Sequence, residues 1–313
     1  MVIHFTLIIK KLQMKNRTKI IIAILALSSG LGFAQQESLI TQYWDHLNFF
    51  NPAATGVGGS KATFTMREQW SQIAESPVTQ MVSFGTRSGN RVGLGFSIMG
   101  DKTFVESQTM VGVDFSYHLP MSEDLNLYLG LKASGNFYNI NTSGLETYDV
   151  MSDPAINSIN NFMPNVGMGA YLTYKSWYAS LSAPKLLDTK RAKEKDGVVS
   201  AATDKTHFYA AVGYDLPLNS IGGLISNENM RLTPSVLLRY VAGAPASADM
   251  NAMLHLSQAF GFGATYRTSG AQAGIVQLTL KNLKLGYVYE TSTTNGIADA
   301  GQTNEISLQY RFN

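Results

Sequence analysis

The sequence predicts an all-β fold: a transmembrane antiparallel β-barrel of about 14 strands in an outer membrane, preceded by a signal peptide. Three observations carry that expectation. Apolar and polar residues alternate in segment after segment, as far as residues 305–312 near the end of the chain. An export signal stands at the start, and the connections between segments are short and long by turns. In the last segment Ile306, Leu308, Tyr310 and Phe312 share one face, with Glu305, Ser307, Gln309 and Arg311 on the other. A strand sorts its side chains this way because successive ones point to opposite sides.

Residues 14–34 have the layout of a secretory signal. Lys15, Arg17 and Lys19 form a basic start, residues 20–27 an apolar core, and Gly32, Phe33 and Ala34 a small-x-small cleavage site. The core is too short to cross a bilayer as a helix, which takes roughly 20 apolar residues. Residues 1–34 are therefore expected to be removed, with Met14 as the true initiator and Gln35 as the first mature residue. The leader holds five basic residues and no acidic one; taking five from 24 Lys and Arg leaves 19 against 22 Asp and Glu, a formal net charge of −3. The basic balance of the whole sequence thus belongs to the leader and gives no reason to expect a nucleic-acid partner. The chain has no Cys. That excludes disulfides, thiolate metal sites, Cys nucleophiles and a lipoprotein anchor.

After residue 35 no stretch keeps a 3.6-residue apolar rhythm, and the period is two. Segments 61–69 and 79–87 open the series. In 91–100, Val92, Leu94, Phe96 and Ile98 face one way; in 107–119, Val111, Val113, Phe115 and Tyr117 do so. Segment 124–138 places Leu at every second position from Leu125 to Leu131. Segments 165–174 and 176–183 follow, then 206–216 with Phe208, Ala210, Val212 and Tyr214. Next come 230–241, 249–257, 260–267 and 272–280, then 283–290 with Leu283, Leu285, Tyr287 and Tyr289, and finally 304–312. Opposite faces carry Gly, Ser, Thr, Asn and charges such as Asp114, Lys132 and Arg267. Several segments reach the roughly 9–11 residues that a tilted membrane strand needs.

Loop lengths separate a barrel from a soluble two-sheet sandwich, which also alternates. Even-numbered connections are mostly tight (88–90, 120–123, 175, 258–259, 281–282), with 217–229 as the exception. Odd-numbered ones include the long polar stretches 70–78, 139–164, 184–205 and 291–303. A barrel with both ends in the periplasm sorts its loops by parity, long ones outside; a sandwich has no reason to. Aromatics near strand ends (Tyr117, Tyr174, Tyr240, Phe312) fit an interfacial girdle, and the mixed polar face fits a wet or plugged lumen. The expected organisation is signal peptide 1–34, an N-terminal periplasmic or plug segment 35–60, and barrel 61–313.

The chemistry-bearing residues do not assemble into a catalytic pattern. His46, His118, His207 and His255 show no metal-ligand spacing, and no GxSxG elbow is present. Gly56 to Gly59 and Gly261 to Gly263 lack the following helix or Lys of a phosphate loop, and read as relief of crowding where strands bend. The mixed-charge run 185–196 reads as an exposed loop, and Asp149 with Asp153 is not spaced as a Ca²⁺ loop. No enzyme, cofactor or metal is expected.

An ordered set of motifs resembles the PorP/SprF family of the type IX secretion system. It begins with Gln42 and Tyr43, then Asn51, Pro52 and Gly56 within 50–56. Arg67, Gln69 and Trp70 with Pro77 follow, then the glycine-rich strand 92–95 with Asp101 and Lys102 after it. Pro164, Pro234 and Pro245 fall within the later matches at 164–167, 234–240 and 243–245. The resemblance implies a non-enzymatic outer-membrane component that docks or supports secreted cargo such as gliding adhesins. Its implied partners are the cargo C-terminal domain at the cell surface, peptidoglycan-linked periplasmic components, and outer-membrane lipid. Loops 139–164 and 184–205 would present the outer surface; 35–60 and 217–229 would offer contacts below. A porin-like channel for small solutes is the competing reading, with Lys132 and Arg239 as its selectivity charges. Read from the residues, Asn51-Pro52 is a turn initiator, Trp70 an interfacial anchor, and Arg67 and Gln69 are placed to bind a neighbouring strand or a folded N-terminal segment.

Overall fold

The computed structural model describes residues 40–141, 159–190, 203–218, 230–242, 244–293 and 301–312. Fourteen strands form the wall: β1 (Lys61–Glu68), β2 (Val78–Ser88), β3 (Val92–Thr103), β4 (Glu106–Pro120), β5 (Leu125–Ile140), β6 (Ile159–Tyr174), β7 (Trp177–Lys185), β8 (His207–Tyr214), β9 (Arg231–Val241), β10 (Ser247–His255), β11 (Phe260–Arg267), β12 (Ala271–Leu280), β13 (Leu283–Ser292) and β14 (Thr303–Arg311). Each strand pairs antiparallel with its neighbours in sequence. The ring closes where β14 meets β1, with Ala62 opposite Tyr310 and Thr65 opposite Ser307. Closure leaves no sheet edge to satisfy in lipid, the condition a membrane-spanning sheet must meet.

Alternation dictates which face meets which medium. On β1, Phe64 and Met66 are each 40% exposed on the outside, while Thr63, Thr65 and Arg67 between them are buried inside. Outward Leu, Val and Phe recur around the ring, and Leu131 on β5 is 61% exposed. A belt this apolar is stable only against hydrocarbon. Tyr117, Tyr174 and Phe312 face outward near the short-turn end, and Tyr240 near the other. Trp177 and Tyr214, 4.4 Å apart between centroids, add to the short-turn girdle.

Two connections are shorter than their sequences suggest. β5 and β6 continue pairing to Ile140 and Ile159, so the loop expected at 139–164 contracts to 141–158. The rings of Phe137 and Phe162 meet at a tilt, 4.8 Å apart between centroids, across this extension, which the Asn-rich composition conceals. Lys185, expected on an exposed loop, is instead buried at the end of β7. Beyond it, Thr189–Lys190 pairs with Thr203–Asp204 as a small separate ladder. The central part of 139–164 and residues 191–202 and 219–229 lie outside the described residues.

Two prolines sit where the ladder can spare an N–H. Pro164 faces outward on β6, beyond the last β6–β7 rung at Met168 and Ala183. Pro234 on β9 falls between the rung Ser235–Gly213 and the rung Leu232–Leu216. Proline in sheets is confined to such gaps and edges. Pro245 is exposed in the connection between β9 and β10.

An outward charge in the belt is a direct test. Leu131→Arg is expected to destabilise the barrel by about 2–4 kcal/mol, measured by urea unfolding in liposomes, whereas Leu131→Val should change it far less.

Candidate functional site

Residues 40–60 do not form wall. They fold into a 3₁₀ turn at Tyr43–His46, a single helical turn α1 (Leu47–Phe50) and a second 3₁₀ turn at Pro52–Ala54. Asn51 makes the reversal: its side-chain oxygen accepts from the Ala53 N–H at 2.9 Å, and Pro52 occupies the first helical position. Residues this short of regular structure leave many backbone groups unpaired, and each buried one needs a partner. The inward face of the barrel supplies them.

The first anchor is ionic. Toward the long-connection end, inward charges of alternating sign run from β9 to β14 through β1. Arg239 pairs with Asp249 at 2.5 Å, Arg267 with Asp249 at 3.0 Å and with Glu290 at 3.1 Å. Arg67 closes the run, at 2.5 Å from Glu290 and 3.3 Å from Glu305. All six side chains are buried. The segment plugs into this chain of charges. Thr41 and Gln42 donate their backbone N–H groups to the two oxygens of Glu305 at 2.8 and 3.0 Å. The Thr41 hydroxyl donates to Glu290 at 2.9 Å and accepts from Arg67 at 3.1 Å.

Further anchors cross the lumen in order. The Gln42 amide donates to Ser307 and accepts from Gln277. The Tyr43 hydroxyl donates to Ser235 at 3.2 Å. Asp45 is ion-paired with Lys284. The two ring nitrogens of His46 bridge Ser83 at 2.7 Å and Thr65 at 2.8 Å. Asn48 reaches the carbonyls of Phe84 and Phe96, and Asp114, whose partner Lys132 lies 2.7 Å away and over the Phe49 ring. On the far side Asn51 donates to the Ala170 carbonyl at 2.9 Å and to Ser180 at 2.8 Å. Ser182 and Ser116 donate to the carbonyls of Phe50 and Thr55.

Apolar packing and missing side chains complete the seat. Ile40, Tyr43, Phe49 and Phe50 pack on Met81, Met99 and Met110 of β2–β4 and on Tyr209 and Leu237 opposite. A side chain at Gly93, Gly130, Gly169 or Gly286 would collide with Thr55, Ala53, Asn51 or Gln42 respectively. These wall glycines make room for the segment. Gly56, at φ 76°, turns the chain back onto the wall, where a Cβ would meet the Thr86 carbonyl at 2.7 Å. It is thus a tight turn, not a strand bend as its sequence context suggested.

The structure divides the sequence-marked residues into two groups. Gln42, Tyr43, Asn51, Pro52, Gly56 and Arg67 meet in the lumen, as segment or as socket. Gln69, Trp70, Pro77, Asp101 and Lys102 lie at the long-connection rim. There the Gln69 N–H donates to the Pro77 carbonyl at 2.9 Å, closing the base of the first connection. Trp70 adopts φ 57° and its N–H reaches the Thr303 hydroxyl; Asp101 accepts from Thr79, and Lys102 is exposed. Residues 40–56 are buried or half-buried within the lumen, and in 40–60 only Gly58 and Gly59 are exposed; residues 35–39 of the expected plug segment lie outside the described residues. Sequence reading missed Glu290 and Glu305 as partners of Arg67, and Asp249 as the partner of Arg239 and Arg267. The inward methionines at polar-face positions were the available sign of an occupied lumen.

His118, His207 and His255 stand on three different strands, and among the described residues no group of three His, Asp or Glu could hold a metal ion.

The family model described as type IX secretion system membrane protein PorP/SprF matches residues 32–310. No curated protein matches the chain. Among solved structures, it is similar to the outer membrane protein Omp33 of Acinetobacter baumannii, at 12% identity over 81% of this chain and 96% of that one, with a TM-score of 0.45. Against the toluene transporter TbuX of Ralstonia pickettii the identity is 12% over 84% and 92%, with a TM-score of 0.46. For the CymD monoaromatic hydrocarbon channel it is 12% over 90% and 95%, with a TM-score of 0.49.

Two outcomes test the seat. Arg67→Ala leaves Glu290 and Glu305 without their shared cation and should cost about 3–5 kcal/mol in urea unfolding; Arg67→Lys should recover only part, since an ammonium lacks the guanidinium fork. Burial holds the His46 imidazole down to about 3 from its ordinary 6.5. The unfolded chain therefore binds the proton first, and this contribution to stability, complete above pH 6.5, is lost progressively as the pH falls toward 3. His46→Gln should flatten that part of the stability profile measured between pH 7 and 4.

Proposed function

We propose that this chain, which belongs to the PorP/SprF family of type IX secretion system membrane proteins, is a non-enzymatic outer-membrane barrel that docks or supports exported cargo, including gliding adhesins, at the cell surface. The observation that carries the reading is the seated segment. Residues 41–55 are bonded to opposite walls of the lumen, which suits a stiff support more than an open diffusion path. In this reading the long connections face outward toward the cargo C-terminal domain. The short-turn end, where the first and last strands begin and finish, faces the periplasm and the peptidoglycan-linked components of the machine.

The competing porin reading loses its selectivity charges. Lys132 and Arg239 are both buried in ion pairs, with Asp114 and Asp249, and neither is offered to a passing solute. The role requires no cofactor.

Planar-bilayer recording separates the two. Purified wild-type barrel should give no steady channels, while Arg67→Ala should give intermittent openings; steady, ion-selective conductance from the wild type favours the porin. In cells, removing the chain should release a specific surface protein into the medium, and undiminished retention of all surface cargo would refute the docking role.

A further inference from the structure

Below the seated segment the lumen stays open. A cavity of about 740 Å³ lies at the short-turn end, bounded by the turns after β10 and β12, the ends of β1 and β14, and a floor that includes Trp44 and Asp45. Its charge is one-sided. Lys61, Arg231, Lys281, Lys284 and Arg311 line it against two carboxylates, Asp45 and Asp215. Both carboxylates are already engaged, Asp45 with Lys284 and Asp215 with Arg231 at 3.4 Å. Among the described residues, Lys61, Lys281 and Arg311 form no close ion pair, and the one acid that attracts Lys61, Asp45, is already paired with Lys284.

The arrangement carries a cost that an anion would remove. Lys61 and Arg311 are directly opposite each other across the β1–β14 ladder, and like charges facing across strands destabilise a sheet. Both belong to the inward-pointing series of their strands and line the same cavity. Lys281 stands apart from that rung, in the tight turn between β12 and β13. Trp44, Met253 and Phe260 give the same space apolar surface.

We propose that this vestibule binds a carboxylate-rich polypeptide segment. Cations held at two separate places match carboxylates spaced along a chain better than they match one compact anion. Apolar surface between them accepts the methylenes of acidic side chains and their neighbours. Glu and Asp side chains would pair with the Lys61–Arg311 rung and with Lys281, and the floor would stop the segment from passing through. The identity of the donor as a periplasmic component rests on the orientation given under the proposed function; the binding itself does not.

The test uses full-length mature barrel in detergent and a fluorescein-labelled hexaglutamate peptide, followed by anisotropy at low salt. Saturable binding is expected, weakened about tenfold in the combined variant Lys61→Gln, Lys281→Gln and Arg311→Gln, and unchanged in Lys102→Gln at the opposite rim. Heat-dependent gel mobility reports that each barrel is folded. If the combined variant fails to fold, Lys281→Glu, confined to an exposed turn, should still weaken binding. Absence of saturable binding, equal binding by the variants, or displacement by orthophosphate at concentrations equal to the peptide would overturn the proposal. A barrel that binds no peptide yet retains cargo in cells refutes the vestibule alone; one that binds peptide while cargo is unaffected by its loss refutes the docking role alone.

Discussion

The arrangement turns on the shared cation at Arg67. Two carboxylates, Glu290 and Glu305, are buried beside it inside a ring whose outer face is lipid. A pair of anions so placed needs charge and hydrogen bonds at once, because desolvation of each is worth several kcal/mol. Arg67 provides charge to both, with Arg267 adding to it at Glu290; the N–H groups of Thr41 and Gln42 bond Glu305, and the Thr41 hydroxyl bonds Glu290. The wall therefore depends on the segment for satisfaction of its own acids, and the segment depends on the wall for partners to its irregular backbone. Neither is complete alone.

That mutual need explains the shape of the inner surface. Where the segment presses closest the wall has glycine, as at Gly93, Gly130 and Gly169; where it presents rings the wall has methionine, a side chain that adapts to irregular gaps. Where it presents amides and an imidazole the wall has hydroxyls, as at Thr65, Ser83 and Ser180. The outer surface follows a simpler rule, since lipid asks only for apolar area. One strand thus carries two codes on alternate residues, an undemanding one outside and a specific one inside.

This difference decides what could be read from the chain. All fourteen strands were legible, because the period of two and the tight turns are local signals, and β11 was delimited at residues 260–267 as found. The ends of β5 and β6 were not, since Asn139, Asn160 and Asn161 read as loop and pair only because the ladder continues. Motif residues such as Asn51 and Arg67 were recognisable as important, and the Asn51-Pro52 turn has the reversal its chemistry suggested. Their partners were not recognisable. Arg67 and Glu305 are 238 residues apart in sequence, and only closure of the ring brings them together. Lys132 and Arg239 looked like free pore charges for a different reason: the acids that neutralise them lie on the next strand, and only the pairing register shows that they meet.

The absence of cysteine allows the central claim to be measured cleanly. Single substitutions Ala54→Cys, within the lumen, and Gly58→Cys, on the exposed stretch that follows, can be labelled with a maleimide-polyethylene glycol on folded barrel. The account predicts that Gly58→Cys reacts rapidly while Ala54→Cys is protected until the barrel is unfolded. Equal labelling of the two in the folded state would contradict it.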